Sequence, residues 1–177
     1  MIKYELNCKL INEVLPAVSR EESRYYLNGV FIEDVDGWRI YTATDGHILL
    51  TAKEAVIGET LEKPLVLKIK KPISCKRLVK GWLQIVDDYT AVITSDEKVA
   101  IDIIDCQYPD CRRVIPSDDT PTAKEYAIFD PDLLKIVNKF IGCKHQVPLM
   151  GDRLAPAMWI AQEEDLVKKA ILMPMRC

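Results

Sequence analysis

The chain has 177 residues and a formal net charge of −3, with 49% apolar and 29% charged residues. This composition is ordinary for a globular protein with a buried core, and the charge excludes a chain that is basic throughout but not one with a basic face. No apolar run approaches the roughly 18 residues of a membrane helix and the first residues lack a signal-peptide pattern, so we expect a cytoplasmic protein.

The first predicted unit, about residues 1–55, reads as a strand, a helix and three strands. Apolar residues at helical spacing predict a helix over residues 8–18. Asn7 is its predicted cap, and Pro16 should end or kink it because proline lacks a backbone donor. The next strands are predicted over residues 26–32, 39–43 and 47–52. The dipeptide Asp36-Gly37 predicts a hairpin turn between the first two of them.

The second predicted unit covers about residues 62–116. It opens with an alternating strand over residues 65–69, with Leu65, Leu67 and Ile69 on one face. A helix is predicted over residues 73–82. Strands are then predicted over residues 83–86, 90–94 and 99–104, with turns at Asp87-Asp88 and at residues 95–97.

The third predicted unit covers about residues 124–177. A strand over residues 126–129 precedes a helix that is capped by Asp130, has Pro131 at its first position and is stopped by Gly142. Strands are predicted over residues 146–150, 157–161 and 168–173. The chain therefore predicts an α+β fold of three similar βαβββ units, with a complete domain at 1–116 and half of one at 124–177.

Basic residues lie opposite the apolar side of the second and third predicted helices, and a single lysine lies on the first. These residues and an adjacent asparagine are Lys9, Lys76, Arg77, Lys80, Lys135, Asn138 and Lys139. Parallel basic stripes of this kind would follow DNA phosphates without reading bases. On charge alone, an ordinary solvated helix face is the alternative interpretation.

Four segments carry a resemblance to a known family. In chain order they are Arg24-Tyr25-Tyr26-Leu27-Asn28-Gly29, Thr44-Asp45-Gly46-His47, residues 108–116 and Leu172-Met173-Pro174-Met175-Arg176-Cys177. Together they resemble the bacterial beta sliding clamp, the DNA polymerase III beta subunit. The resemblance implies a DNA clamp fold, with antiparallel sheets outside and helices lining a central hole. Residues 1–116 look like the middle domain of the family, and residues 124–177 like the second half of its last domain.

The resemblance also implies an apolar pocket for the clamp-binding peptides of polymerases and other partners. Its residues here would be Arg24, Leu27, Thr44, Gly46, His47, Leu49, Pro116, Ile171, Leu172, Met173, Pro174, Met175 and Arg176. A groove of Leu, Ile, Met and Pro suits varied peptides because methionine repacks easily. Without the resemblance, residues 171–175 would read as a terminal core strand.

Catalytic and metal sites are weaker interpretations. His47 oriented by Asp45 would be a candidate base, but no nucleophile motif accompanies them. Cys106 and Cys111, with the later Cys143 and His145, have the nearest metal-like spacing, but no C-x-x-C pair is present. We therefore expect a protein that is not an enzyme and uses no cofactor. The six cysteines are expected to be reduced and to serve as small apolar residues.

The chain has three units where the family has six, so ring closure by the usual dimer cannot be assumed from the resemblance. Four copies would supply the twelve units of a family ring, which predicts a homotetramer. The expected function is a processivity factor that tethers polymerase through the pocket and encircles double-stranded DNA without sequence preference. The alternative is a peptide-binding clamp fragment that does not encircle DNA and competes with or modulates a full-length clamp.

Overall fold

The computed structural model describes residues 3–77, 79–123, 127–142 and 146–175. Its two α-helices are α1 (Cys8–Val14) and α2 (Pro131–Ile141), and short 3-10 turns cover Leu15–Ala17, Glu22–Leu27 and Cys111–Val114. The strands are β1 (Tyr4–Asn7), β2 (Val30–Val35), β3 (Trp38–Thr44), β4 (Ile48–Ala55), β5 (Leu65–Lys68), β6 (Lys80–Ile85), β7 (Thr90–Thr94), β8 (Lys98–Ile103), β9 (Ala157–Glu163) and β10 (Leu166–Leu172). Within the described part of the chain, no helix has the length and apolar character to cross a membrane.

All ten strands join one antiparallel sheet in the order β1-β6-β7-β8-β5-β2-β3-β4-β10-β9. The first two units exchange strands, since β1 pairs with β6 of the second unit and β5 pairs with β2 of the first. The third unit continues the same sheet because β10 pairs with β4 over seven residues. The main core lies between this sheet and the helices α1 and α2. The predicted α+β class is therefore confirmed.

Local sequence signals set the helix ends as predicted. The side chain of Asn7 accepts a hydrogen bond from the Leu10 amide, and α1 gives way to a 3-10 turn that contains Pro16. Asp130 caps α2 by accepting from the amides of the first turn, and Gly142 ends the helix with a φ of 78°. A left-handed residue of this kind at a helix end is usually glycine because it has no Cβ to clash.

The predicted helix over residues 73–82 is wrong. The described residues of this stretch form a loop and then β6, so Lys76 and Arg77 lie on a loop and Lys80 lies on a strand. The reason is that other groups take the hydrogen bonds that a helix needs. The side-chain amide of Asn12 bonds both the N–H and the C=O of Ile73, at 2.8 Å each, and the Ser95 hydroxyl donates to the carbonyl oxygen of residue 74.

The strands of the third unit are only partly as predicted. The strands expected over 157–161 and 168–173 are β9 and β10. Residues 127–129 are not a strand, and Tyr126 lies outside the described residues. Around residues 146–150 only Leu149 forms isolated bridges, to Met158 and Thr122. In the first unit, the strand predicted from Tyr26 begins instead at Val30, after a 3-10 turn.

A buried ion pair joins three parts of the first unit. The Arg39 side chain is 2% exposed and bonds Asp34 through two nitrogens. It also donates to the backbone oxygens of Glu5 in β1 and Glu59 in the segment after β4. Asp34 in turn accepts from the Leu61 amide. The pair therefore closes the outer edge of β1 and anchors the connection between the first two units.

Candidate binding sites

The turn between β3 and β4 is built by its own polar side chains. The Thr44 hydroxyl donates to the Ile48 carbonyl at 2.7 Å and accepts from the Gly46 amide. One carboxylate oxygen of Asp45 accepts from the amides of His47 and Ile48, at 2.8 and 3.0 Å. Asp45 therefore holds the backbone of the turn, and this arrangement gives no support to its orienting His47 as a catalytic base.

Arg24 lies against this turn. Its Nη1 donates to the Asp45 carbonyl at 3.1 Å, and its Nε pairs with Glu21 at 3.3 Å. Gly46 has a φ of 96°, and a Cβ added there would lie 2.9 Å from the same Nη1. Glycine is therefore required at this position both for the backbone conformation and for the close approach of the arginine.

The segment that follows β10, residues 173–175, bonds first to the turn between β3 and β4 and then to the segment before α2. The Met173 amide donates to the His47 carbonyl, and the Met175 amide donates to the Ile128 carbonyl at 2.7 Å. Met175 and Ile128 are both more than half exposed. Exposed apolar side chains also include Tyr25, Val114 and Met173. Met173 therefore presents apolar surface at the turn that the cation of Arg24 contacts.

A small apolar cluster lies on the sheet face opposite the helices, which we call the outer face. Leu49 and Ile171 are paired across β4 and β10, and both are buried with Met158. Cys111 and Ile115 pack against this cluster and cover it from outside. Burial raises the pKa of the Cys111 thiol to about 11, so this side chain is a neutral apolar group near pH 7.

The structure brings together most of the residues predicted for the pocket. Arg24, Thr44, Gly46, His47 and Met173 share one hydrogen-bonded turn region, next to the Leu49–Ile171 cluster. Met175 lies farther along the same segment.

Other predicted pocket residues lie elsewhere. Leu27 packs in a neighbouring cluster with Val66 and Tyr108, and Cys111 contacts both clusters. Leu172 is a correction: it is 0% exposed in the main core on the helix side of the sheet, because side chains alternate along β10. Pro174 is buried, Pro116 is half-buried, and Arg176 lies outside the described residues.

Cys111, Ile115 and Ile128 are site residues that were not predicted from the sequence. The first two lie within the matching segment of residues 108–116, and their apolar spacing was an available signal. Ile128 had none, because only the backbone contact with Met175 places it here.

A strap formed by residues 108–118 crosses the outer face. Tyr108 stacks on Phe31 with ring centroids 4.7 Å apart, and Arg112 pairs with Glu33 at 2.6 Å. A cavity of about 340 Å³ lies between the strap and the outer-face residues of β2, β3, β4 and β10. Burial raises the pKa of the Tyr108 phenol above its ordinary value. The strap therefore forms a fixed wall beside the Leu49–Ile171 cluster.

A cleft of about 510 Å³ separates α1 from α2 on the other side of the sheet, and Lys9, Lys135 and Lys139 line it together. Lys135 also pairs with Asp132 on its own helix, which lowers the pKa of that carboxyl. Asn138 is half-buried beside them. Lys76 and Arg77 are exposed on the loop before β6, whereas Lys80 pairs with Glu5 of β1. The basic residues predicted on the third helix therefore lie beside the lysine of α1. The basic stripe predicted on the second helix does not form, because the described residues of that stretch are not helical.

No group of three or more His, Cys, Asp or Glu side chains with the arrangement of a metal site occurs among the residues that the structure describes. Cys143 and His145 lie outside those residues. Cys106 bonds weakly to the Tyr26 carbonyl, and burial raises the pKa of its thiol.

Comparisons with known proteins agree on one family. Residues 2–110 match the family model described as the DNA polymerase III beta subunit, central domain. The beta sliding clamp of Caulobacter vibrioides is 33% identical over an alignment of 124 residues, and the match covers 62% of this chain and 32% of that protein. The Proteus mirabilis beta sliding clamp is 31% identical over 121 residues, covering 64% of this chain and 33% of that one. The matched part thus spans about a third of these relatives.

Solved structures show the same fold over the whole chain. The beta sliding clamp of Caulobacter crescentus superimposes with a TM-score of 0.79 at 19% identity, covering 100% of this chain and 66% of that one. The DNA polymerase sliding clamp of Pseudomonas aeruginosa gives a TM-score of 0.79 at 17% identity, over 99% and 67%. The DNA clamp fold expected from the sequence is therefore confirmed, including its third unit.

Proposed function

This chain belongs to the DNA polymerase III beta subunit family, and from that premise we propose that it is a non-catalytic, sliding-clamp-like processivity factor. It binds the clamp-binding peptides of a DNA polymerase and other partners on its outer face. It encircles double-stranded DNA as an oligomeric ring, with its helices toward the DNA, and acts on DNA in the cytoplasm.

The observation that carries the proposal is the apolar surface around the turn of residues 44–48. Met173 is exposed at the turn, Met175 is exposed farther along the same segment, and Arg24 contacts the turn, which is fixed by hydrogen bonds before any ligand arrives. Flexible methionine side chains adapt to different apolar anchors, and the arginine can pair with an acidic group of a peptide. Such a surface is suited to short peptides of varied sequence.

The cleft between α1 and α2 supports the DNA-binding part of the proposal. Lys9 and Lys139 line it from two different helices on the face opposite the peptide surface. Lysines of this kind neutralise phosphates and make no base contacts, so binding would be independent of sequence and sensitive to salt. The two faces would then serve two partners at once.

Ring closure in this proposal uses four copies, because three units per chain give the twelve units expected from the family resemblance. The third unit contributes α2, β9 and β10, and its contacts with the first unit of its own chain include β4 and α1. We propose that its remaining flank contacts the third unit of a second copy. Closed symmetry of this type is the rule for homo-oligomers.

The second candidate function is a peptide-binding module that does not encircle DNA. It is favoured by the matched length, which is about a third of the curated relatives. This module would retain the outer-face surface and compete with a full-length clamp for peptides, or modulate that clamp.

Peptide binding is tested by fluorescence polarisation with a labelled peptide that carries a polymerase clamp-binding motif. Met173→Glu places a charge in the exposed apolar surface, and we expect at least a tenfold weaker affinity. Ile57→Glu is the control, because Ile57 is also apolar and exposed but follows the far end of β4. Equal affinity of the two variants would contradict the proposed peptide surface.

Encirclement is tested by light scattering and by retention on plasmid DNA loaded with the protein. A ring should have the mass of four chains and should stay on closed circular DNA but leave when the plasmid is cut. A protein that binds peptide but is monomeric at every concentration would favour the second function.

A further inference from the structure

One edge of the strand β8 is only partly paired with a neighbouring strand. Ser95 donates to Glu97, and Ile103 donates to Tyr89, so these alternate positions of β8 and its turn bond toward β7. Bonding direction alternates along a strand, so Lys98 and Ala100 direct their N–H and C=O groups to the other edge. On that edge β5 pairs only with Asp102 and Ile103, and Ile104 donates to Val66. Among the described residues, no strand pairs with the edge at Lys98 and Ala100.

The same chain shows what such an edge accepts. β4 and β10 are each the last strand of a unit, and they pair antiparallel over seven residues. β8 is the last strand of the second unit and is the one such strand among the described residues whose outer edge remains mostly unpaired. An open edge is a template for another strand.

We propose that β8 pairs antiparallel with β8 of a second copy around a twofold axis at Val99. In this register Lys98 and Ala100 each form a hydrogen-bonded pair with the other copy, which satisfies all four free groups on each strand. The two Val99 residues face each other as the non-hydrogen-bonded pair between them. Val99 is half-buried and packs against the main core, so the contact extends an existing apolar layer.

The surrounding side chains permit this approach. Ala100 is small and exposed on the outer face, and Ile101 is buried toward the core. In contrast, the edge of β1 is closed by the buried Arg39, which bonds the Glu5 carbonyl. The inference rests on the proposed ring, since β8 pairing would supply one of the two contacts that each chain needs for a tetramer.

Cysteine cross-linking tests the register. Facing residues of a non-hydrogen-bonded pair have Cα atoms about 4.5 Å apart, within disulfide range. Val99→Cys should therefore give a disulfide-linked dimer on mild oxidation, assigned by peptide mapping because the chain has six native cysteines. Ala100→Cys is the matched control, since the two Ala100 positions would lie roughly 8 Å apart and beyond that range. Linkage of neither variant, or of both equally, would overturn the register.

Ala100→Pro tests the contact itself. Proline removes an edge N–H that has no partner among the described residues, so the fold should persist, as checked by cooperative thermal unfolding. We expect the mass in solution to fall by half relative to wild type, with unchanged affinity for the peptide. Ala100→Cys under reducing conditions keeps the N–H and should keep the full mass. An unchanged mass for Ala100→Pro would refute the β8 contact.

The outcomes separate this inference from the proposed function. Retention on circular DNA by a tetramer whose Val99→Cys variant does not cross-link would sustain the ring and reject β8 pairing. Specific Val99→Cys cross-linking without retention on DNA would sustain β8 pairing and reject encirclement.

Discussion

At Gly46 a single missing side chain sets the position of Arg24. The φ of 96° is a left-handed conformation, and a Cβ would lie 2.9 Å from the arginine. We expect Gly46→Ala to lower the free energy of unfolding by about 1–2 kcal/mol and also to weaken peptide binding, because Arg24 must move. Urea denaturation and fluorescence polarisation measure the two effects.

Gly58 provides the control for this prediction. Its φ is 86°, and among the described residues no atom other than those of its chain neighbours lies within 4 Å of an added Cβ. Gly58→Ala should therefore show a similar loss of stability, with no change in peptide affinity. If the two variants bind peptide equally well, Arg24 does not act through its contact with the turn.

Arg39 is a second residue whose role the sequence did not reveal, since the sequence placed it only at the start of a predicted strand. Arg39→Met would leave the carboxylate of Asp34 buried without its cation. Breaking a buried pair in this way costs about 3–5 kcal/mol. We expect a loss of this size in the free energy of unfolding, measured in urea.

The pair of Arg112 and Glu33 gives a matched comparison for that loss. Arg112 is 62% exposed, and exposed pairs contribute less than about 1 kcal/mol. Arg112→Met should therefore destabilise the protein only slightly. If both variants lost a comparable free energy of unfolding, burial would not explain the contribution of the Arg39–Asp34 pair.

The buried thiol of Cys8 makes stability depend on alkaline pH. Burial raises its pKa from 9.0 to about 11 in the folded protein. Between these values the unfolded chain loses the thiol proton while the folded chain keeps it, so the free energy of unfolding falls as pH rises. We expect Cys8→Ala to show a shallower decline than wild type between pH 9 and 11 in urea titrations. If the free energy of unfolding fell equally steeply with pH in the variant and in wild type, the Cys8 thiol would not be the cause of the decline.

The loop of residues 69–77 lies where the expected helix would begin, and it depends on one side chain of α1. Asn12 bonds both backbone groups of Ile73. Asn12→Ala removes both bonds and leaves polar groups unsatisfied, which should cost about 1–3 kcal/mol. Hydrogen exchange should show faster exchange confined to this loop and β6. Asn12→Asp retains the acceptor for the Ile73 amide and should have a smaller effect.

The same loop shows why the elements were only partly predictable. The helix α2 carries its cap, its proline and its terminal glycine within a dozen residues, so the sequence alone places it. The segment from Ile73 to Trp82 has apolar residues at helical spacing, but backbone groups of its first five residues bond Asn12, Ser95 and Asp96, which are distant in sequence. The spacing of apolar residues indicates which side of an element faces the core. It does not indicate whether distant side chains compete for the backbone hydrogen bonds of that element.

Some features of the candidate site could likewise be predicted from the sequence, and others could not. The turn of residues 44–48 is held by Thr44 and Asp45, whose positions next to a glycine are readable from the sequence. Side chains alternate between the two faces of the sheet along β10, so Ile171 lies on the outer face and Leu172 on the helix side. A sequence match that includes both residues does not tell which face each one occupies. The contact of Ile128 with Met175 depends on how the third unit packs, so no local pattern reports it.

Across the whole molecule, the third unit is joined to the first both by strand pairing within the sheet and by contacts on its helix side. β10 extends the sheet beside β4, and on the helix side Lys168 of β10 pairs with Glu13 of α1 while lying over the Phe140 ring of α2. These contacts hold α1 and α2 next to each other. The lysines of the cleft are therefore positioned by the architecture of the sheet rather than by a shared helix.

This arrangement predicts which lysines set the salt dependence of DNA binding. Lys9 and Lys139 line the cleft, and Lys53 lies on the opposite face of the sheet. Each lysine that neutralises a phosphate contributes about 1 to the slope of log K against log salt. We expect Lys9→Gln with Lys139→Gln to flatten that slope, measured by DNA binding across a salt series, whereas Lys53→Gln leaves it unchanged. The reverse result would place the DNA on the outer face and rule out a ring with its helices inside.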